Sequence, residues 1–298
     1  MSFSLSIITR EEYSSHPLLS RLLELHDIPD KLYIAGNLPE VTIDEYGRAT
    51  PRILAVIGPR KHTTYGKNAT EKLISSLAGE DVIILSGLAI GIDGLAHTSA
   101  LKNKLTTIAI PGSGLDSKVV YPRTHLHLAE EIVKAGGLLI SELPPETGAA
   151  QWTFPSRNRL VAALSDAVLV IEAGDKSGAL ITSRQALELG RDIGAVPGEI
   201  FSQTSVGTNM LIRDGSYIVA DESDLYALLH LSKKETKETV YDYSKNEQLL
   251  IDILIEPLEK DILLIKSKLS PEIFLITLSS LEMKGVIEEI FGEVRRLV

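Results

Sequence analysis

The sequence predicts an open, doubly wound α/β sheet, mostly parallel, followed by a small winged-helix domain. Six short runs rich in Ile and Val carry the first part: Ile53–Ile57, Val82–Leu85, Thr106–Ile110, Leu138–Ile140, Ala167–Ile171 and Ile193–Val196. None alternates with polar residues, which is the pattern of strands buried on both faces. Their starts recur at intervals close to the ~30 residues of a β–α–β unit. The segments between them have helical periodicity, and alternation of the two gives a layered α/β sheet.

Each helix has its own signal. Tyr65, Ala69, Leu73 and Leu77 recur every four residues and paint one face. Leu126, Ala129 and Val133 follow at i, i+3 and i+7. Ala179 to Leu189 is a run of good helix formers closed by Gly190. Residues 1–50 form a short acidic preamble, interrupted by Pro17, Pro29 and Pro39, that is expected to pack on a main domain of residues 51–230. Residues 231–245 are polar and charged and are expected to be a linker. Residues 246–298 carry three helical patterns, at 246–255, 258–268 and 271–284, then a hairpin about Gly292. Three helices and a hairpin make a winged-helix arrangement; a plain helical bundle is the alternative.

Composition narrows the function. The chain has 298 residues and no cysteine, which excludes a disulfide framework, a Cys-ligated metal and thiol catalysis. A reducing cytoplasm is the expected home. The amino terminus has no basic stretch leading into an apolar one, so no signal peptide is read. No apolar run approaches the ~20 residues of a membrane helix. The net charge of −10 speaks against broad coating of nucleic acid, but its distribution is uneven. Pro51–Thr70 holds Arg52, Arg60, Lys61 and Lys67 with no acid, and Thr147–Ser165 holds Arg157 and Arg159 with none.

Ligands of such sheets bind beyond the carboxyl ends of the strands. The residues there are Gly58-Pro59-Arg60-Lys61, Ser86-Gly87, Pro111-Gly112-Ser113-Gly114, Ser141-Glu142, Glu172-Ala173-Gly174 and Pro197-Gly198. Glycine lets a backbone approach a ligand and frees amides to point at anions, so these loops together suggest a phosphate-binding edge. Any one of them alone reads as a tight turn. Neither a Walker A loop nor a dinucleotide fingerprint is present. Gln151-Trp152-Thr153-Phe154-Pro155-Ser156-Arg157-Asn158-Arg159 interleaves rings and guanidinium groups, which suits a single strand through base stacking and phosphate contact. Alternatively, Trp152 and Phe154 cap the core and the arginines are solvated or pair with Glu142 or Asp166. Lys176-Ser177-Gly178 opens a helix and could cap an anion, or serve as an ordinary N-cap. Asp93 and His97 share a helix face without a nucleophile beside them and read as structural. His125 and His127 lie two apart, on different faces, so no metal site is read. Glu142 and Glu172 stand at strand ends and leave an enzyme open, a Rossmann-like nucleotide or phosphosugar hydrolase.

Gly58-Pro59-Arg60, Ser86-Gly87-Leu88-Ala89-Ile90-Gly91-Ile92-Asp93-Gly94-Leu95-Ala96-His97, Phe154-Pro155-Ser156-Arg157-Asn158-Arg159, Ser177-Gly178-Ala179-Leu180-Ile181-Thr182, Val196-Pro197-Gly198 and Gly207-Thr208-Asn209-Met210-Leu211-Ile212 strongly resemble, in order and spacing, the DNA-processing protein A family (DprA/Smf). The resemblance covers residues 15–230. It implies a Rossmann-like domain that binds single-stranded DNA, protects incoming DNA in natural transformation, helps load the RecA recombinase and acts as a homodimer. It implies no catalytic residue, metal or cofactor. By that resemblance Arg60 and Lys61 would hold phosphate, Phe154 would stack near a base, and Arg157, Asn158 and Arg159 would line or shape the pocket. Ser86, Gly87, Gly112, Ser113, Lys176, Ser177 and Gly178 would offer donors and positive charge to the backbone. Two residues depart from the family pattern: Pro59 replaces a hydroxyl residue and Gln151 a lysine, each removing a donor or charge. The tail resembles the winged-helix module of some members, but its helix from Pro271 to Lys284 carries Glu272 and Glu282 against one lysine. That is poor for duplex DNA, so protein contacts are expected of it.

Overall fold

The computed structural model describes residues 3–232, 243–290 and 292–296. The chain divides into two compact units, 1–233 and 234–298.

The first unit is built on one nine-stranded sheet. Its strands are β1 (Leu5–Thr9), β2 (Lys31–Gly36), β5 (Arg52–Ile57), β6 (Val82–Ser86), β7 (Thr106–Ala109), β8 (Leu138–Ser141), β9 (Ala167–Val170), β10 (Asp192–Ala195) and β11 (Tyr217–Ile218), while β3 (Thr42–Ile43) and β4 (Ala49–Thr50) form a separate two-stranded ribbon. The order across the sheet is β1-β2-β8-β7-β6-β5-β9-β10-β11. All six expected strands are present, and they pair in parallel from β8 through to β10.

The helices are α1 (Pro17–Ser20), α2 (Thr64–Ser75), α3 (Ile92–Lys102), α4 (Leu126–Lys134), α5 (Thr153–Leu164), α6 (Gly178–Glu188), α7 (Val206–Arg213) and α8 (Glu222–Leu228). Neighbouring residues of one strand enter different layers. Leu54 and Val56 pack with α2, α3 and α8, whereas Ile53, Ala55 and Ile57 pack with α5, α6 and the preamble. That two-sided burial is why the strands read as unbroken apolar runs.

The preamble does more than pack on the main domain. β1 and β2 extend the sheet beyond β8 by antiparallel pairing, Leu5 opposite Ala35 and Tyr33 opposite Ser141. Pro17, Pro29 and Pro39 lie outside both strands. Three of the five residues of β1 are exposed, so an edge strand of this kind lacks the continuous apolar signature.

The parallel order reverses at β5, whose loop runs to α2 on one face, while the loop of its neighbour β9 runs to α6 on the other. A crevice opens beyond the strands at such a reversal.

In the second unit α9 (Lys245–Ile253), β12 (Leu258–Glu259), α10 (Lys260–Ser267), α11 (Pro271–Met283), β13 (Ile287–Ile290) and β14 (Glu293–Arg296) follow in turn. The three strands are antiparallel in the order β12-β14-β13. Leu250, Leu263, Phe274, Leu278, Leu281 and Val294 fill a core of its own. The pattern at 258–268 begins as a strand, because Leu258 and Glu259 pair with Val294 and Glu293 before α10 starts. Most of the expected linker, 233–242, and the last two residues of the expected hairpin lie outside the described residues.

Candidate nucleic-acid interface

The crevice at the strand reversal holds a cavity of about 360 Å³. The β5 loop supplies Gly58, Pro59 and Arg60, the turn before α3 supplies Ala89, α3 supplies Asp93, and α5 supplies Phe154, Arg157 and Asn158. The start of α6 supplies Ser177, Gly178, Ala179 and Thr182.

Arg60 lies over the Phe154 ring, its guanidinium carbon 4.6 Å from the centroid. Tyr121 meets Phe154 at 5.7 Å and 60°. The outcome is a row of three flat groups, Arg60, Phe154 and Tyr121, with Arg60 and Tyr121 open to solvent. Tyr121 is the residue that sequence reasoning missed. Its only sequence signal is the Tyr-Pro pair ahead of α4, and Ser113 holds it there by accepting from its backbone N–H at 3.1 Å.

Arg157 is buried and serves the frame of the cavity. Its Nη1 donates to the carbonyls of Gly87 and Ile110, and its Nε to Asn158 Oδ1 at 3.1 Å. It thereby ties the loops after β6 and β7 to α5. Asp93 faces it from α3; burial raises the Asp93 carboxyl, and the Arg157 charge works against that rise. Burial likewise lowers Arg157, with Asp93 opposing.

Glycine is required where these groups close in. A Cβ on Gly87 would collide with the Arg157 guanidinium, and one on Gly112 would stand 2.6 Å from Phe154 Cδ1. Gly91 has φ +89, and a Cβ there would run into the Pro59 carbonyl.

Other expected residues sit elsewhere. Arg159 turns away from the cavity: it pairs with Glu142 and lies 3.6 Å from Asp27 of the preamble. The pairing of an arginine with Glu142, held open by the sequence, holds for Arg159. Ser86 is buried and donates to Val56 O at 2.6 Å. Ser113 is buried and donates to Gly114 O. Lys61 and Lys176 are exposed beside the cavity without lining it. Ser177 N-caps α6, accepting from Ala179 N at 3.3 Å. Trp152 is exposed and caps no core.

Several further polar groups near this edge are engaged. Glu172 accepts from Thr63 N (3.0 Å), Thr63 Oγ1 (2.6 Å) and Thr204 Oγ1 (3.2 Å), closing the N-terminus of α2. Glu142 accepts from Ser156 and Arg159. His97 is buried, bonded through Nδ1 to Thr107 Oγ1 at 2.7 Å, and burial drives it down to about 3. Among the described residues no cluster of acids and histidines could hold a metal ion. No helix among them is long and apolar enough to cross a membrane.

The family described as DNA recombination-mediator protein A matches residues 4–230. The chain belongs to this family, DNA-processing protein A. Protein Smf of Escherichia coli K12 is 38% identical over 205 residues, 69% of this chain and 52% of that protein. DNA processing protein DprA of Bacillus subtilis 168 is 37% identical over 205 residues, 69% of this chain and 66% of that one. The chain thus spans about half to two thirds of these relatives. Among solved structures, DprA of Streptococcus pneumoniae is 35% identical with a TM-score of 0.65, over 75% of this chain and 74% of that one. DprA of Helicobacter pylori, solved for its single-stranded DNA binding mode, is 30% identical with a TM-score of 0.62, over 77% of this chain and 98% of that one. The DprA fold therefore accounts for the mostly parallel sheet.

Proposed function

We propose that the chain is a recombination mediator that binds single-stranded DNA in the cavity between the β5 and β9 loops. The observation that carries this is the Arg60–Phe154–Tyr121 row at the sheet's carboxyl edge. Rings offer every base a stacking face, and an adjacent guanidinium meets phosphate. Lys61, Lys176 and the start of α6 add positive charge and amides around the opening. The Helicobacter pylori relative, whose structure concerns single-stranded DNA, supports the same ligand here.

In this reading the protein works without catalysis, metal or cofactor. Glu142 and Glu172, the carboxylates that kept a hydrolase open, spend their oxygens on Arg159, Ser156, Thr63 and Thr204 and do not line the cavity. Protection of incoming strands in transformation, loading of the RecA recombinase, a homodimeric state and a cytoplasmic location complete the proposal, on family membership. The element order of residues 245–296 supports a winged-helix module in the tail.

Fluorescence anisotropy with labelled oligo-dT and a matched duplex, over a salt series, tests the binding claim. Single strands should bind more tightly than duplex, with affinity falling as salt rises. Equal affinity for the two, or no salt dependence, contradicts it.

A further inference from the structure

Asp93 is an acid in the lining of the cavity assigned to a polyanion. It stands in the first turn of α3 and is 7% exposed. Neighbouring acids of this unit are well satisfied. Asp166 pairs with Arg21 at 2.6 Å and accepts from the amides of Ala49 and Ile53, and Glu172 accepts from Thr63 and Thr204. Asp93 has the Ala89 amide at 3.4 Å, longer than the ~2.7–3.2 Å of a good bond. Arg157 faces it as a charge but spends Nη1 on the Gly87 and Ile110 carbonyls and Nε on Asn158. The Ser86 hydroxyl, also beside Asp93, gives its proton to Val56 O at 2.6 Å. Toward Asp93 its oxygen can then only accept, which suits a carboxyl that carries a proton and not a carboxylate. Burial pushes the Asp93 carboxyl up in the same sense.

Four charged or titratable groups surround it. Arg157 comes from α5, and Arg60 from the β5 loop shares the cavity lining. His97 lies one turn along α3 and is held neutral by burial. His125 packs on Gly94 and turns Nδ1 to the Leu88 carbonyl at 2.9 Å. Arg157 favours the ionised carboxylate. A phosphate brought against Arg60 offsets that cationic field and adds a like charge, and both changes favour the neutral acid.

We propose that Asp93 is a built-in rival of the strand's phosphates: seating the strand puts a proton on its carboxyl, so single-stranded DNA is held more tightly as pH falls. The inference rests on the cavity being the seat of the strand.

Anisotropy of the full chain with labelled oligo-dT tests it. Uptake of one proton strengthens binding by up to about tenfold per pH unit, and wild-type affinity should rise roughly fivefold or more from about pH 8 to about pH 6. Asp93→Asn, the neutral isostere, should bind severalfold tighter than wild type at the higher pH and show a flatter profile. A gain of affinity cannot come from a damaged fold, and any slope owed to His62 or His125 would persist in the variant. Calorimetry of the wild-type protein with oligo-dT, in two buffers of different ionisation enthalpy, should show net proton uptake without any substitution. Equal slopes in wild type and Asp93→Asn overturn the proposal. So does a folded Asp93→Asn that binds no tighter at the higher pH, or wild-type binding without proton uptake. Arg60→Ala separates this inference from the reading beneath it. Wild-type affinity there removes the cavity as the seat; weakened affinity there, with equal slopes in wild type and Asp93→Asn, sinks the role of Asp93 alone.

Discussion

The carboxyl edge of the sheet and helix α11 of the second unit differ in what becomes of their charges. At the sheet edge the stretches around Arg60 and Arg157 hold no acid, and Glu142 and Glu172 are engaged by their neighbours, so Arg60 stays available above Phe154. Glycines keep the loops close, and Arg157 pins them to α5. On α11 Ile273, Ile276 and Met283 are exposed beside Glu272 and Glu282, and Lys284 at the end of the helix holds Glu247 at 2.7 Å. A chain with a net charge of −10 can thus keep an arginine available at one place and commit a lysine to an internal ion pair at another. Total charge says little about either, because interactions across water fade within about 8–10 Å at ordinary salt.

The comparison can be broken first at Arg157. Arg157→Ala removes the bonds to Gly87 and Ile110 and leaves Asp93 buried without its cation. The expected cost is ~3–5 kcal/mol, read as a lower denaturant midpoint of the first unit with the second unit unchanged. Next comes acid. His97 is held neutral in the fold, so below its ordinary value near 6.5 only the unfolded chain takes up that proton. Stability of the first unit should therefore fall by about 1.4 kcal/mol per pH unit as pH drops from about 6.5 toward about 3. In the second unit, Lys284, with the Ser244 amide and the Ser280 hydroxyl, holds Glu247 down to about 2. Its contribution is present above about 4.5 and is lost as pH falls toward about 2, so this unit should weaken later. Hydrogen exchange resolved by segment reads both; simultaneous loss would contradict the separation. Phe154→Ala should cost about 1–3 kcal/mol of oligo-dT affinity and little stability, because the ring is only half-buried. A loss of stability without a loss of affinity would make Phe154 a packing residue. The smallest effect is expected of Tyr121→Leu, a severalfold loss of affinity that disappears in the Phe154→Ala background; additive losses would separate the two rings.

Much of this was legible in the sequence. The six parallel strands announce themselves because both faces of each are buried. The preamble strands do not, since β1 sits at the edge with most of its residues in water. The loops that line the cavity were readable as strand-end glycines, but the meeting of Arg60 with Phe154 joins segments 94 positions apart in the chain, which only the topology brings together. Arg157 and Arg159 looked like a pair in the sequence. Two positions apart on a helix, they point different ways: Arg157 inward to the loops, Arg159 back to Glu142 and the preamble. Helical geometry alone could have separated them once Thr153–Leu164 was read as α5. Ser86 and Ser113 mark a further difference, since a hydroxyl at a strand end serves a neighbouring carbonyl as readily as a ligand, and here each is buried against one.

That division between the two kinds of arginine is the most direct test of the central claim. Arg60→Ala and Arg159→Ala remove the same charge from the same unit, and their affinities for oligo-dT can be compared by anisotropy at one salt concentration. The account predicts a loss of tenfold or more for Arg60→Ala with unchanged stability, and near-normal affinity for Arg159→Ala with reduced stability. Wild-type affinity in Arg60→Ala, or equal losses in both, would show that the cavity is not where the strand is held.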